Sequence, residues 1–462
     1  MFRARYLTAP LAMLFLAACA ATPSPPALAT LTPPAEWRVS STAGAAVEAD
    51  WWTAFHDPHL AAAVQAALAA NTDLAIAEAR VREAQALSVQ ARSLLAPSLD
   101  LTIGAQDQRR LTDIGRVVET EAAQPELRMA YEVDLWGRLR SGDAAARASL
   151  QASRYGREAV ALSVAAATAR AYVSLASLDA QLQIAGETLA ARRTALEVIA
   201  RRAEAGYLSQ LDLAQARAEF EAVSQRVPAL ELAVRRQENA LRLLTGAAPG
   251  RVERSSFDQL VVVAPSPGLP SALLERRPDI AQAQSQLIAA DASLDAARAA
   301  MLPQVRLTAA VGELFAQRFD PITVWTVGGS VLAPIFDAGR REAQTSASAA
   351  RRDQAALAYK RVVLNAFAET ENALEGVSRL ERQAKAASAQ RDALQEASDR
   401  AGRLYEAGHA SRLERLDAER RLFEAQLADV QVRENELANT IALYQALGGG
   451  WSLGAAEAGA RD

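Results

Sequence analysis

The 462-residue sequence has one cysteine and three histidines. A disulfide within the chain is therefore excluded, and too few soft ligands remain for a zinc or haem site. Aromatic residues make up only 5% of the chain although apolar residues make up half. Alanine fills the gap, and an alanine-rich, aromatic-poor chain with many Arg, Glu and Gln reads as long, closely packed helices. The net charge is −4, so there is no basic excess and no nucleic acid is expected as a partner. The chain carries no Gly-rich phosphate loop and no Ser/His/Asp arrangement suited to catalysis, and it reads as a non-enzyme. His56 and His59 flank Asp57-Pro58, a pattern that starts a helix rather than builds a metal site. Proline is missing from 139–205 and again from 341–407. At about 1.5 Å per residue each stretch makes a helix of roughly 100 Å, longer than ordinary domains use.

An apolar run, 7–18, follows Arg3 and Arg5 and is too short to span a bilayer. It ends in Leu16-Ala17-Ala18-Cys19, which resembles the lipobox of bacterial lipoproteins. That resemblance implies a signal peptide over 1–18, and Cys19 carrying a diacylglycerol and an N-acyl chain after cleavage. Ala20 is not Asp, which resembles the sorting pattern for the outer membrane of a Gram-negative cell. Residues 19–50 form a tether rich in Pro23, Pro25, Pro26, Pro33 and Pro34, leading into the first folded segment.

The strongest internal signal is a duplication. Gly137 and Gly339 stand 202 residues apart, as do Gly206 and Gly408, Ser209 and Ser411, Leu211 and Leu413, and Gly246 and Gly448. Asp134-Leu135-Trp136-Gly137-Arg138 is answered by Phe336-Asp337-Ala338-Gly339-Arg340. The period is far too long for a solenoid. It divides the chain into repeat one (51–250), a linker (251–270), repeat two (271–448) and a tail (449–462). Each copy has a medium helix (71–95, then 278–301) ending at a proline, two alternating segments, a very long helix, a glycine and another long helix.

The alternating segments carry the most information. Leu99, Leu101 and Ile103 alternate with Ser98, Asp100 and Thr102, and Leu127, Met129, Tyr131, Val133 and Leu135 alternate with Arg128, Ala130, Glu132 and Asp134. In repeat two Val305, Leu307, Ala309 and Val311 alternate with Arg306 and Thr308, and Trp325, Val327 and Val331 with Thr326 and Ser330. Period two predicts strands with one apolar face, over about 98–108, 125–136, 304–313 and 323–335, joined by polar loops at 107–124 and 313–323. Each is about as long as a tilted strand crossing a bilayer. Trp136, Phe315, Phe319, Trp325 and Phe336 lie near strand ends, as an interfacial girdle would. Two soluble hairpins packed on helices would alternate in the same way. The lipobox favours the membrane reading. Four strands cannot close a barrel and open edges are not tolerated in lipid, so several chains would have to share one barrel. A long tethered coiled coil of structural or adhesive role is the alternative, but no sustained Leu/Ile heptad supports it.

Arg276-Arg277-Pro278-Asp279-Ile280, Ala289-Ala290-Asp291-Ala292 and Leu302-Pro303 resemble the signature of TolC-like outer-membrane efflux factors, most of all the lipoprotein branch serving resistance-nodulation-division pumps. The resemblance covers roughly 50–450. It implies a mostly α fold with a small β part: a homotrimer with a shared twelve-stranded transmembrane β-barrel, a helical periplasmic tunnel, and a mixed equatorial belt in which Trp51 and Trp52 would be packing anchors. It implies a passive export duct whose partners are a periplasmic adaptor and an inner-membrane resistance-nodulation-division transporter, with outer-membrane lipid around it. Gly206-Tyr207-Leu208-Ser209 and Gly408-His409-Ala410-Ser411 match the family's periplasmic helix turns, where the adaptor docks. Glu414 and Asp417, three apart and so on one helix face, match two acidic positions that ring the entrance. Such crowding should raise carboxylate pKa values and favour cations. Asp212, the counterpart of Glu414, matches a residue that latches the closed tip. The usual basic partner would stand at Ala410, which leaves Arg412 and Arg415 as candidates.

Overall fold

A computed structural model describes residues 31–38, 47–261, 263–316 and 319–453. Cys19, the leader before it and most of the proline-rich tether lie outside those residues.

Repeat one opens with α1 (Pro58–Ala70) and α2 (Thr72–Ser93). Asp57 caps α1, its carboxylate accepting from His59 N at 2.8 Å and Leu60 N at 3.1 Å, and Pro58 occupies the first turn, where its missing N–H costs nothing. Asn71 closes α1 and caps α2 in the same manner. After β1 (Ser98–Leu111) and β2 (Val117–Val133) comes α3 (Arg138–Glu204), then α4 (Gln210–Ser224) and α5 (Arg226–Leu244). Repeat two runs through the short α6 (Leu273–Arg276), α7 (Pro278–Ala299), β3 (Gln304–Ala316), β4 (Phe319–Leu332), α8 (Arg340–Glu406) and α9 (Arg412–Ala446). The 67-residue helices α3 and α8 start and stop within one residue of the proline-free stretches. One expectation fails in repeat one: its second helix is not continuous but divides at Gln225. Pro228 is the cause, because its ring displaces the carbonyl one turn earlier and it has no N–H to return.

The strands form one antiparallel sheet in the order β1-β2-β3-β4, leaving β1 and β4 as edges. Register places Leu99, Met129, Ala309 and Val327 in one cross-strand row and Leu101, Leu127, Val311 and Trp325 in the next. The apolar residues of these rows therefore share one face, and they are exposed: Trp325 and Val327 are both 74% accessible. The opposite face carries Asp100, Arg128, Glu126, Glu132 and Arg306. Arg128 pairs with Glu126, and Arg138 forks onto Glu132 at 2.7 and 2.8 Å. A sheet apolar on its bare face and charged on the other is built for lipid outside and water inside.

Strand limits differ from the sequence reading. The polar segment expected as a loop at 107–124 continues the β1–β2 ladder as far as Leu111↔Val117, leaving only a turn at 112–116. β3 likewise runs on to Ala316, and β4 starts at Phe319. Alternating hydrophobicity marks where a strand meets lipid, and the backbone goes on pairing beyond that. Pro125 interrupts only the β3 side of β2, where Gln124 and Pro125 have no partner, while Ile103↔Pro125 keeps the β1 side in register. At the other end β2 stops at Val133 because Asp134 turns to cap α3, accepting from Leu139 N and Arg140 N. β4 stops at Leu332, two residues before Pro334.

The main core lies midway along the long helices, where both ends of the folded chain return. Trp51, Phe55, Leu60, Tyr172, Leu175, Leu241, Ile441 and Tyr444 pack together, with Trp51 stacked on Tyr444 at 5.1 Å. Trp51 and Trp52 are buried, as packing anchors should be. Tyr172 donates to Asp57 Oδ2 at 2.8 Å and accepts from Ser255 N at 3.0 Å, tying α3 to the α1 cap and to the inter-repeat linker. The segments Pro58–Ser93 and Arg138–Glu204 are apolar and long enough to cross a membrane. Half of the apolar window in the second is buried against neighbouring helices, so packing accounts for it.

Candidate functional site

The sheet lies at one end of α3 and α8, and the other end is formed by two helix turns. In the first, α3 closes on Ala205 and the chain reverses through Gly206 at φ 78°, a left-handed conformation that Gly adopts without strain. Tyr207 N then donates to Arg202 O at 2.8 Å. Ser209 caps α4 in a reciprocal box: its Oγ accepts from Asp212 N at 3.1 Å, and Asp212 Oδ2 accepts from Ser209 N at 3.2 Å. The second turn repeats these bonds. Gly408 has φ 79°, His409 N donates to Leu404 O at 2.8 Å, Ser411 Oγ accepts from Glu414 N at 3.2 Å, and Glu414 Oε2 accepts from Ser411 N at 2.6 Å. The sequence places Gly, Ser and an acidic residue at matching positions in both copies for this reason.

The boxes hold charge. Hydrogen bonds from Ser209 keep the Asp212 carboxyl below the ordinary carboxylate range, helped by the Arg412 guanidinium. Those from Ser411 do the same for Glu414. In a single chain the capping interaction thus works against the upward shift expected from a crowded ring.

The structure joins some of the sequence-predicted residues and separates others. Arg412 crosses from the second turn to the first, its Nη1 donating to Asp212 O at 2.9 Å and standing 3.3 Å from Oδ1. Arg415 is committed elsewhere: its Nε donates to Glu419 Oε1 at 2.7 Å and its guanidinium lies over the Tyr405 ring. Ala410 offers no polar group. Asp417 pairs with Arg421 one turn along, at 2.9 Å, and does not meet Glu414 within one chain. Glu419 was not singled out from sequence, yet it gathers Arg415 and the nearly buried Arg192. Its spacing of four from Arg415 was the available signal. Leu211 and Leu413 served only as repeat markers. Both protrude, 68% and 66% exposed, beside an 81% exposed Tyr207, so the turns present matched apolar knobs. No group of three or more His, Cys, Asp or Glu side chains suited to a metal occurs among the described residues.

Comparison with known proteins gives this geometry a setting. The family model described as outer membrane efflux protein matches residues 63–247 and 269–449, one stretch in each repeat. The chain is 36% identical over 456 residues to the pyoverdine export outer membrane protein OpmQ of Pseudomonas aeruginosa, covering 95% of this chain and 96% of that protein. It is 33% identical over 422 residues to the toluene efflux pump outer membrane protein TtgC of Pseudomonas putida, covering 88% and 86%. Among solved structures, the outer-membrane channel OprN superposes with a TM-score of 0.86 at 28% identity over 92% of this chain and 98% of that one.

Proposed function

The chain belongs to the outer membrane efflux protein family, and on that premise we propose that three copies of it close one barrel and form the export duct of a tripartite pump. It is an outer-membrane channel protein of an efflux system. The observation that carries the trimer is the four-stranded sheet with both edges free and an exposed apolar face. Lipid cannot satisfy the unpaired N–H and C=O groups of β1 and β4, so each edge needs a neighbour's edge. Three copies give a twelve-stranded closed barrel, charged inside and apolar outside.

In this reading the duct is passive and has no catalytic step. Cys19 carries the lipid that tethers the chain to the outer membrane. A periplasmic adaptor docks on the turns at 206–209 and 408–411, where Tyr207, Leu211 and Leu413 offer apolar knobs, and an inner-membrane resistance-nodulation-division transporter supplies the energy. Glu414 and Asp417 of three chains bring six carboxylates to the entrance and favour cations there. Arg412 takes the latch role that Ala410 cannot, holding the two turns of one chain together through Asp212. The relatives OpmQ and TtgC are named for unlike cargoes at similar identity, which supports a duct that does not choose its cargo.

Electron microscopy of the detergent-extracted protein with three-fold averaging tests the assembly. The expected image is a hollow trimeric tube with a short barrel at one end. A monomer or a solid rod would sink the reading.

A further inference from the structure

The two repeats match down to single side-chain bonds. Gln237 of α5 donates to Ala171 O at 2.9 Å, and Asn439 of α9, 202 residues on, donates to Ala373 O at 2.9 Å. α5 therefore sits on α3 as α9 sits on α8. α9 has a second neighbour as well, because its other side lies along α3. There Ser177 donates to Glu434 Oε2 at 2.7 Å, Arg170 to Gln445 Oε1 at 2.9 Å, and Arg192 to Glu419. The same side of α5 is bare. Leu232 and Leu243, the counterparts of Glu434 and Gln445, are 51% and 72% accessible, and Arg236 and Asn239 join them in one exposed stripe at helical spacing. α8 has a bare side to match: Asn372 and Arg379, the counterparts of Arg170 and Ser177, are both exposed. Nearer the sheet the pattern recurs. α7 lies between α3 and α8, while its counterpart α2 lies on α3 and leaves Ile76, Leu87 and Val89 exposed.

α2 leads into β1 and α8 follows β4, and these strands are the two free edges of the sheet. A neighbour whose β1 closes on β4 therefore brings its α2, and farther from the sheet its α5, to the bare side of α8. Resting on the shared-barrel reading, we propose that this side of α8 is covered by a second copy of the chain, whose α2 and α5 repeat between copies what α7 and α9 do on α3 within one. The offset of 202 fixes the register. Leu232 of one copy meets Arg379 of the next, Leu243 meets Asn372, and Arg217 meets Leu394, where the seam inside a chain has Glu434 with Ser177, Gln445 with Arg170 and Glu419 with Arg192. Every polar pair of the inner seam is thus replaced by a leucine beside a polar side chain. Arg379 and Arg217 suit that place, since an arginine lays its alkyl stem along an apolar surface and keeps its guanidinium in water. Arg379 also holds Glu375 one turn earlier on its own helix, so its charge is met without the neighbour. At these three positions the seam between copies relies on apolar burial, whereas the seam within a chain relies on hydrogen bonds and ion pairs.

Cysteine cross-linking of the full-length protein in lipid nanodiscs tests the register. Leu232→Cys with Arg379→Cys, treated with a short bis-maleimide, should convert the chain to covalent trimers on a denaturing gel, because each copy then reaches the next around a closed ring. Either substitution alone should leave it monomeric. Wild type, whose single cysteine is Cys19, gives the background. Ser177→Cys with Glu434→Cys is the equivalent pair inside one chain. It should link and still run as a monomer, which shows that the reagent spans the gap. Leu243→Cys with Asn372→Cys is a second, independent pair with the same expectation as the first. The native mass of the untreated sample separates this inference from the reading it rests on. Native trimers that yield covalent trimers with neither pair overturn the register and leave the duct standing, whereas native monomers overturn both. Covalent dimers from one substitution alone also overturn the proposal, because the face would then be pairing with itself.

Discussion

The two copies of the duplicated unit agree at their turns and disagree in the helices that follow. Ser209 with Asp212 and Ser411 with Glu414 build the same capping box. Beyond it, α9 runs unbroken for 35 residues, while its counterpart is split into α4 and α5. At the offset of 202, Pro228 stands where repeat two has Val430. The connections from sheet to long helix differ as well, 134–137 in repeat one against 333–339 in repeat two. α9 packs on both α8 and α3 and buries Phe423, Leu437, Ile441, Leu443 and Tyr444. α4 and α5 rest on α3 and bury fewer and smaller groups. Duplication has preserved the places where the chain reverses, because those demand particular residues. It has let the straight parts diverge, because many sequences make a helix. The consequence is one stiff hairpin and one jointed hairpin in each chain.

Moving the proline is the harshest test of that contrast. Val430→Pro puts a ring against the carbonyl of Gln426 and removes a backbone bond in the middle of α9, at a cost of about 3 kcal/mol or more. Val430 also packs against the main core, so folding itself should suffer, seen as a large drop in the midpoint of thermal loss of helical ellipticity. Pro228→Val should shift that midpoint little, because the break is already accommodated. Equal losses from the two substitutions would mean that the joint in repeat one is as essential as the stiffness in repeat two.

A smaller effect is expected where the two hairpins meet. Arg412→Ala removes the guanidinium that reaches from the second turn to Asp212. Hydrogen bonds involving a charged group contribute about 1.5–3 kcal/mol, and partial exposure of Asp212 puts this one at or below the low end. In planar bilayers the variant should show a higher resting conductance. Arg415→Ala should not, since Arg415 is bound within its own helix to Glu419. A conductance rise in the Arg415 variant alone would transfer the latch to that residue.

What could be read from the residues alone follows the same division. The limits of α3 and α8 were visible because a left-handed Gly stands beside each end, at 137, 206, 339 and 408, and no proline intervenes. The lipid-facing parts of the strands were visible because Leu, Ile, Val and Trp alternate with polar partners. The β1–β2 ribbon beyond Gln106 was hidden, since polar residues on both faces carry no period. The break at Gln225 had its marker in Pro228, but an amphipathic pattern continues through it. The choice between Arg412 and Arg415 could not be made from spacing, because Arg412 and Asp212 lie 200 residues apart and meet only through the fold.

Acid should separate the two turns by the smallest but most specific margin. The folded-state pKa values of Asp212 and Glu414 lie below their ordinary values of 3.8 and 4.5. A carboxyl depressed by folding contributes stability that is complete above the ordinary value and is lost as pH falls through the depressed one. The boxes should therefore hold at neutral pH and open in acid, with the Glu414 box beginning to weaken first because glutamate starts from the higher value. Arg412 also props the Asp212 box through a bond to the backbone oxygen of Asp212, and protonation of the carboxyl leaves that bond intact. Amide exchange measured as protection factors, at neutral pH and near pH 3.8, should show the first turn of α9 losing protection before that of α4. Ser411→Ala should remove the α9 response and lower protection at neutral pH by about fivefold, as loss of an N-cap worth about 1 kcal/mol requires. Ser209→Ala should have the smaller consequence. If both turns lose protection together, the arginine bridge contributes nothing to the first turn, and the two hairpins are equivalent at the end where they meet.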